Sequence, residues 1–180
     1  MIRKIAIIAP EFTEKKILNV PWRQMFEIAK FLSTKNIEAV IFTEKECPTK
    51  IENISIIKLN EKIIRELSDE SKMKIESIKP DLIYWMGNTF SGIYMSKNKF
   101  KIPLIMHISS VHLINKELRN FSLKEIFTNH KMWLFTSFYP MYRIVSKLNH
   151  QNITAIISSS KTISERLEKV GVNNSKINTS

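Results

Sequence analysis

Short apolar, β-branched runs alternate along this chain with longer segments in which apolar residues recur at helical spacing. Strand-length runs fall at Lys4 to Ala9, Ala39 to Thr43, Ile54 to Leu59, Leu82 to Met86, Leu104 to Ile108 and Ile153 to Ile157. Between the first two, Trp22, Met25, Ala29 and Leu32 recur at i, i+3, i+7 and i+10, which predicts a helix with one stripe against the sheet and Pro21 in its first turn. A second helix is predicted with Ile64, Leu67, Ser71, Ile75 and Ile78 on one face. It ends before Pro80, whose ring disfavours helical geometry in Lys79. Strands alternating with helices in this way indicate βα units around a mostly parallel sheet. The strand runs are nearly continuous rather than alternating, as expected when helices cover both faces. The fold expected is therefore α/β: a doubly wound, largely parallel six-stranded sheet in a single domain spanning residues 1–180.

The last stretch, ITAIISSSKTISERLEKVGVNNSKINTS, reads as a strand, a serine-rich turn, a helix ending at Gly171 and the opening of one more strand that does not form. Ser160 suits the helix N-cap, and Thr162 with Glu165 makes an alternative capping box one register on. With no continuation, the tail from Asn173 to Ser180 is expected to exchange its amide protons quickly, and the exposed sheet edge to favour self-association.

Composition narrows the partners. A chain of 180 residues with 43% hydrophobic content can bury one sizeable core. Its 28 Lys and Arg against 17 Asp and Glu give a formal charge of +11, which favours anionic partners or leaves a basic solvated surface. No apolar run approaches the roughly 20 residues of a membrane-spanning helix, and no signal peptide is read at the N-terminus. The single cysteine, Cys47, cannot form an internal disulfide and fits a reducing cytoplasm. Only three glycines occur, Gly87, Gly92 and Gly171, and neither a GxGxxG nor a P-loop pattern is present. From Lys116 to Gln151 basic residues stand beside Trp133, Phe135, Phe138, Tyr139 and Tyr142. This segment reads either as an interfacial membrane contact or as aromatics packed under a helix broken at Pro140. Nucleic acid is not an expected partner, because no recognised module or basic-aromatic repeat occurs.

In an open α/β sheet, ligands bind beyond the carboxyl ends of the strands. That rule selects Glu11 after the first strand, Gly87, Asn88 and Thr89 after the fourth, Ser109, Ser110 and His112 after the fifth, and Ser158, Ser159 and Ser160 after the sixth. His107 stands out, because LIMHISS puts an imidazole where a buried strand end calls for an apolar residue. It can exchange a hydrogen bond with a ligand hydroxyl or carry a proton, or it can be a core histidine satisfied by a backbone carbonyl. The four histidines and Cys47 show no metal-ligand spacing, so no metal is expected.

Taken together, the opening KIAIIAP, the central KPDLIYWMGN and the closing serine turn and SKIN resemble the N-terminal half of a GT-B glycosyltransferase of the glycosyl transferase group 1 (family 4) type. The resemblance implies a Rossmann-like, acceptor-side domain of a retaining enzyme that moves sugar from a nucleotide-sugar substrate, without a cofactor, to a saccharide or lipid-linked acceptor. It implies that His107 faces the reacting sugar, with Glu11, Asn88 and Ser109 shaping the acceptor pocket. The donor-site cations and paired glutamates of the family belong to a second domain, absent from these residues, so catalysis is expected to need a donor-binding domain or subunit. The family's Gly-Gly pair after the first strand is replaced here by EFTEKKILNVPW, which holds no glycine. The rival expectation is a non-catalytic binding module docked on acidic membrane or on a partner subunit, at the inner face of the membrane.

Overall fold

The computed structural model describes residues 2–63, 66–89, 91–109, 122–125 and 141–179. Among these residues eight strands form one sheet: β1 (Lys4–Ile8), β2 (Glu38–Thr43), β3 (Lys50–Ile51), β4 (Ile54–Lys58), β5 (Leu82–Gly87), β6 (Leu104–Ile108), β7 (Ala155–Ser158) and β8 (Ile177–Thr179). Their order is β3-β4-β2-β1-β5-β6-β7-β8, parallel throughout except for the β3–β4 pair. The chain runs outward from β1 in one direction and from β5 in the other, so the reversal falls between these two neighbours.

The expected count of six strands is corrected to eight. The additions, β3 and β8, are edge strands of two and three residues, too short and too polar to show hydrophobic periodicity. The strand expected not to form after the last helix does form. Ile177 to Thr179 pair in parallel with Ile156 to Ser158. The tail is further held by the Lys176 ammonium, which donates to the carbonyls of Asn149, His150 and Ile153 at 3.0, 2.9 and 2.8 Å.

Two apolar clusters lie on opposite faces of the sheet, as the two-residue strand period requires. One joins Ile5, Ile7, Ile41 and Tyr84 to Met25, Phe26 and Ala29 of α1 (Trp22–Thr34). The other joins Ile8, Phe42, Trp85 and Met106 to four helices: α2 (Asp69–Ser77), α3 (Ser91–Met95), α4 (Met141–Leu148) and α5 (Lys161–Lys169). The central strands are buried along nearly their whole length, in keeping with their unbroken apolar runs.

Helix ends follow local chemistry. Pro21 occupies the N-cap position of α1. At its other end Asn36 takes φ 58°, and Asn36 and Ile37 donate to the carbonyls of Ser33 and Leu32, the two bonds of a Schellman closure. Gly171, at φ 95°, closes α5 in the same way, with Val172 donating to Leu167. Ser160 is the N-cap of α5, accepting from the Ile163 amide at 3.3 Å, so the alternative cap at Thr162 is not used. Helix α2 starts later than expected, after the Ser68 cap. Leu67 precedes it, buried, with its amide bonded to Asn98 Oδ1 at 3.0 Å, and Ile64 lies outside the described residues. Before Pro80, Lys79 adopts φ 51° and helical geometry stops.

Candidate functional site

All the parallel strands present their carboxyl ends along one edge, and most of the residues selected from sequence are there. After β1 the chain turns at Glu11, which takes φ 58°, a left-handed conformation that favours glycine. The loop thus adopts at a glutamate the kind of turn for which glycine is the usual choice. Its neighbours stabilise it: the Glu11 amide donates to Glu44 Oε2 at 2.9 Å, and the carboxylate meets Lys16 Nζ at 2.6 Å. That ammonium, 4.3 Å above the Trp22 ring, holds the Glu11 carboxyl below its ordinary range. Trp22 donates its indole N–H to the Pro10 carbonyl at 2.8 Å, and Phe12 is fully buried beneath the loop. Glu11 therefore directs its contacts toward the β2 side of the edge.

After β5, Gly87 lets the next helix approach closely: a Cβ there would lie 2.6 Å from Ser91 Cβ and 2.6 Å from Met95 Cε. Asn88 caps that helix, its Oδ1 accepting from the Ser91 amide at 3.1 Å while its own amide donates to Ser91 Oγ at 3.1 Å. Thr89 is buried. The Ser109 amide donates to the Gly87 carbonyl at 3.3 Å, joining the ends of β5 and β6.

His107 stands on β6 between Met86 of β5 and Ile157 of β7. It is fully buried, and its Nε2 lies 2.8 Å from Ser159 Oγ. Its Nδ1 is buried and has no hydrogen-bond partner among the described residues. Burial pushes the imidazole down to about 4, so the ring is neutral near pH 7.

Ser158, one residue earlier, points to the opposite face. Its buried hydroxyl lies 2.6 Å from Ser164 Oγ of α5, and that atom lies 2.6 Å from Thr179 Oγ1 of β8. A chain of three hydroxyls thus ties strand, helix and edge strand together. In the sequence Ser158, Ser159 and Ser160 stand together at this turn, with Ser158 the candidate ligand contact. Parallel register separates them, because His107 faces Ile157, and the residue two further on, Ser159, shares its face. Ser110 and His112 lie outside the described residues, as do Trp133, Phe135, Phe138 and Tyr139. His150 is engaged locally, accepting at Nδ1 from the Asn152 amide at 3.2 Å. Among the described residues no group of three or more His, Cys, Asp or Glu side chains could hold a metal ion, and no helix is long and apolar enough to cross a membrane.

No protein-family model matches the sequence, and no curated protein matches it. Solved structures do. A glycosyltransferase from Rickettsia africae matches over 98% of this chain and 42% of its own, at 12% identity and a TM-score of 0.56. Anabaena Alr3699/HepE, in complex with UDP and glucose, matches over 98% of this chain and 43% of its own, at 14% identity and a TM-score of 0.60. The UDP-GlcNAc 2-epimerase of Methanocaldococcus jannaschii matches over 98% and 45%, at 12% identity and a TM-score of 0.50. The likeness is one of fold: a Rossmann-like α/β domain of the kind that forms one half of a GT-B protein. The chain spans less than half the length of each of these structures.

Proposed function

We propose that this chain is the acceptor-side half of a nucleotide-sugar-dependent glycosyltransferase of the GT-B type, doubly wound and closest in character to the group 1 (family 4) enzymes. The observation that carries the reading is the buried, neutral His107 at the carboxyl end of β6, with one ring nitrogen bonded and the other without a partner among the described residues. A buried polar atom without a partner is costly and calls for an explanation, and a bound ligand group that completes it is one. A sugar hydroxyl supplies what Nδ1 lacks, and glycosyl transfer presents such hydroxyls on both donor and acceptor. Two of the similar folds belong to a glycosyltransferase and to a UDP-GlcNAc epimerase, and a third was solved with UDP and glucose.

In this reading the acceptor, a saccharide or a lipid-linked sugar, enters over the ends of β1, β5 and β6. Glu11, Gly87, Asn88, Thr89, Ser109, Ser110, His112 and Ser158 belong to or support its surroundings, and His107 orients the reacting sugar. The acceptor hydroxyl attacks the anomeric carbon with retention of configuration. A donor-binding half, joined or separate, holds the nucleotide and stabilises the leaving diphosphate with its cations. The nucleotide-sugar is a substrate, and the reading calls for no resident cofactor. The chain alone, incubated with nucleotide-sugars and acceptors, is expected to transfer nothing, and to transfer sugar once a donor-binding half is supplied. Robust turnover by the chain alone would overturn the division of labour, and epimerised nucleotide-sugar in place of transferred sugar would assign the fold to the other activity.

A second reading rests on Leu18 and Val20, which are 83% and 76% exposed in the loop after β1, beside the exposed Lys15 and Arg23. Apolar side chains flanked by cations suit the interface of an acidic bilayer at the cytoplasmic face. Binding to anionic but not neutral vesicles, weakened by salt and by Leu18→Ser, supports it. No sedimentation with anionic vesicles at low salt removes it.

A further inference from the structure

We infer that Ser159 is a positioning residue that fixes His107 in the tautomer protonated at Nε2, and so sets the site to accept a hydrogen bond from a neutral hydroxyl rather than to receive an anion. The inference rests on the functional reading only for the identity of the ligand; the tautomer follows from hydrogen-bond bookkeeping within the turn after β7.

Among the described residues Ser159 Oγ has two polar neighbours, His107 Nε2 at 2.8 Å and the Ile108 carbonyl at 3.3 Å. The carbonyl has no hydrogen to give, so the hydroxyl proton goes to it and the serine oxygen is left as an acceptor. Nε2 must then carry the proton that it shares with Ser159. The Ser159 amide also donates to the Ile108 carbonyl, at 3.2 Å, which pins the turn and with it the position of Oγ. The opposite tautomer would rotate the serine proton away from Ile108 and leave an N–H at Nδ1 buried with nothing among the described residues to accept it. Orphaned buried N–H groups are rarer than under-satisfied acceptors.

With the proton on Nε2, the unpartnered Nδ1 presents a lone pair. A lone pair accepts from a hydroxyl and repels a carboxylate or phosphate oxygen. The only described ring facing His107 is Tyr84, at 5.7 Å between centroids, and burial pushes its hydroxyl well above its ordinary range, so it contributes no charge. The chain carries a formal +11, yet this buried nitrogen is set to select a neutral group.

The tautomer is read without any ligand bound. Long-range proton–nitrogen correlation on the chain labelled in its histidines reports which ring nitrogen of His107 is protonated. The expected result near pH 7 is a neutral ring with Nε2–H and a pyridine-like Nδ1. Ser159→Thr, which keeps the hydroxyl, should retain that pattern, whereas Ser159→Ala should give a mixture of tautomers with the backbone spectrum preserved. A wild-type ring protonated at Nδ1, or charged, overturns the inference even if Ser159→Ala fails to fold. An unchanged tautomer in folded Ser159→Ala overturns the role of the serine. If the tautomer stands but a neutral hexose leaves the Nδ1 resonance unmoved while a hexose phosphate shifts it, the predicted selectivity is wrong. Failure of glycosyl transfer, by contrast, touches only the functional reading.

Discussion

Tyr84 and His107 face each other across β5 and β6, their ring centroids 5.7 Å apart and their planes tilted by 40°. Both are buried on the α1 face of the sheet, one strand apart and diagonal in register. Burial acts on them in opposite directions, raising the phenol and lowering the imidazole, and both effects disfavour charge. The pair is therefore neutral around pH 7.

Acid sensitivity follows from the histidine. Unfolded, its imidazole takes a proton as pH falls through about 6.5, whereas in the folded chain it does so only near 4. Between those values the unfolded state binds more protons, so stability rises with pH through the window and is lost on acidification, by up to about 3 kcal/mol in all. Urea unfolding at a series of pH values should show this slope in the wild type and lose it in His107→Gln. An identical slope in both proteins would assign the sensitivity to other groups.

At Gly87 the absent side chain sets how closely α3 approaches β5. Its Cβ would press on Ser91 Cβ and Met95 Cε, both at 2.6 Å, and the first belongs to the residue that forms the cap with Asn88. Gly87→Ala is expected to cost about 1–3 kcal/mol, as overpacking does. A thermal melt unchanged from wild type would show that α3 can move away freely.

The clasp at Lys176 is expected to hold the last strand. Its ammonium meets three carbonyls just beyond α4, and burial lowers its affinity for its proton. Lys176→Met keeps the aliphatic stem and removes the donors, at a cost of about 1–3 kcal/mol. Hydrogen exchange should show protected β8 amides in the wild type and faster exchange in the variant. Fast exchange in both would mean that β8 does not persist in solution.

The central strands were legible in the sequence because burial on both faces writes itself as continuous apolar runs such as KIAII and LIYWM. Strand β3 was not, since a two-residue edge strand is defined by backbone pairing rather than by side-chain pattern; for β8 the opening of a strand was legible after Gly171, but its pairing with β7 was not. The prominence of His107 was also legible: an imidazole ending an apolar strand departs from the local pattern. Its partner was less so. Only the pairing of His107 with Ile157 puts Ser159, and not the neighbouring Ser158, on the same face. The left-handed turn at Glu11 had no sequence signal, because it depends on Glu44 and Lys16 closing around a residue that does not favour it.

The most direct test of the account is the His107→Ala substitution, assayed for sugar transfer with a donor-binding half supplied and normalised to folded protein. The account predicts an intact fold and a rate per folded molecule at least ~10-fold lower, the equivalent of about 1.4 kcal/mol of lost transition-state stabilisation. Lower thermal stability with an unchanged rate per folded molecule would contradict it and make His107 a core residue with no part in the reaction.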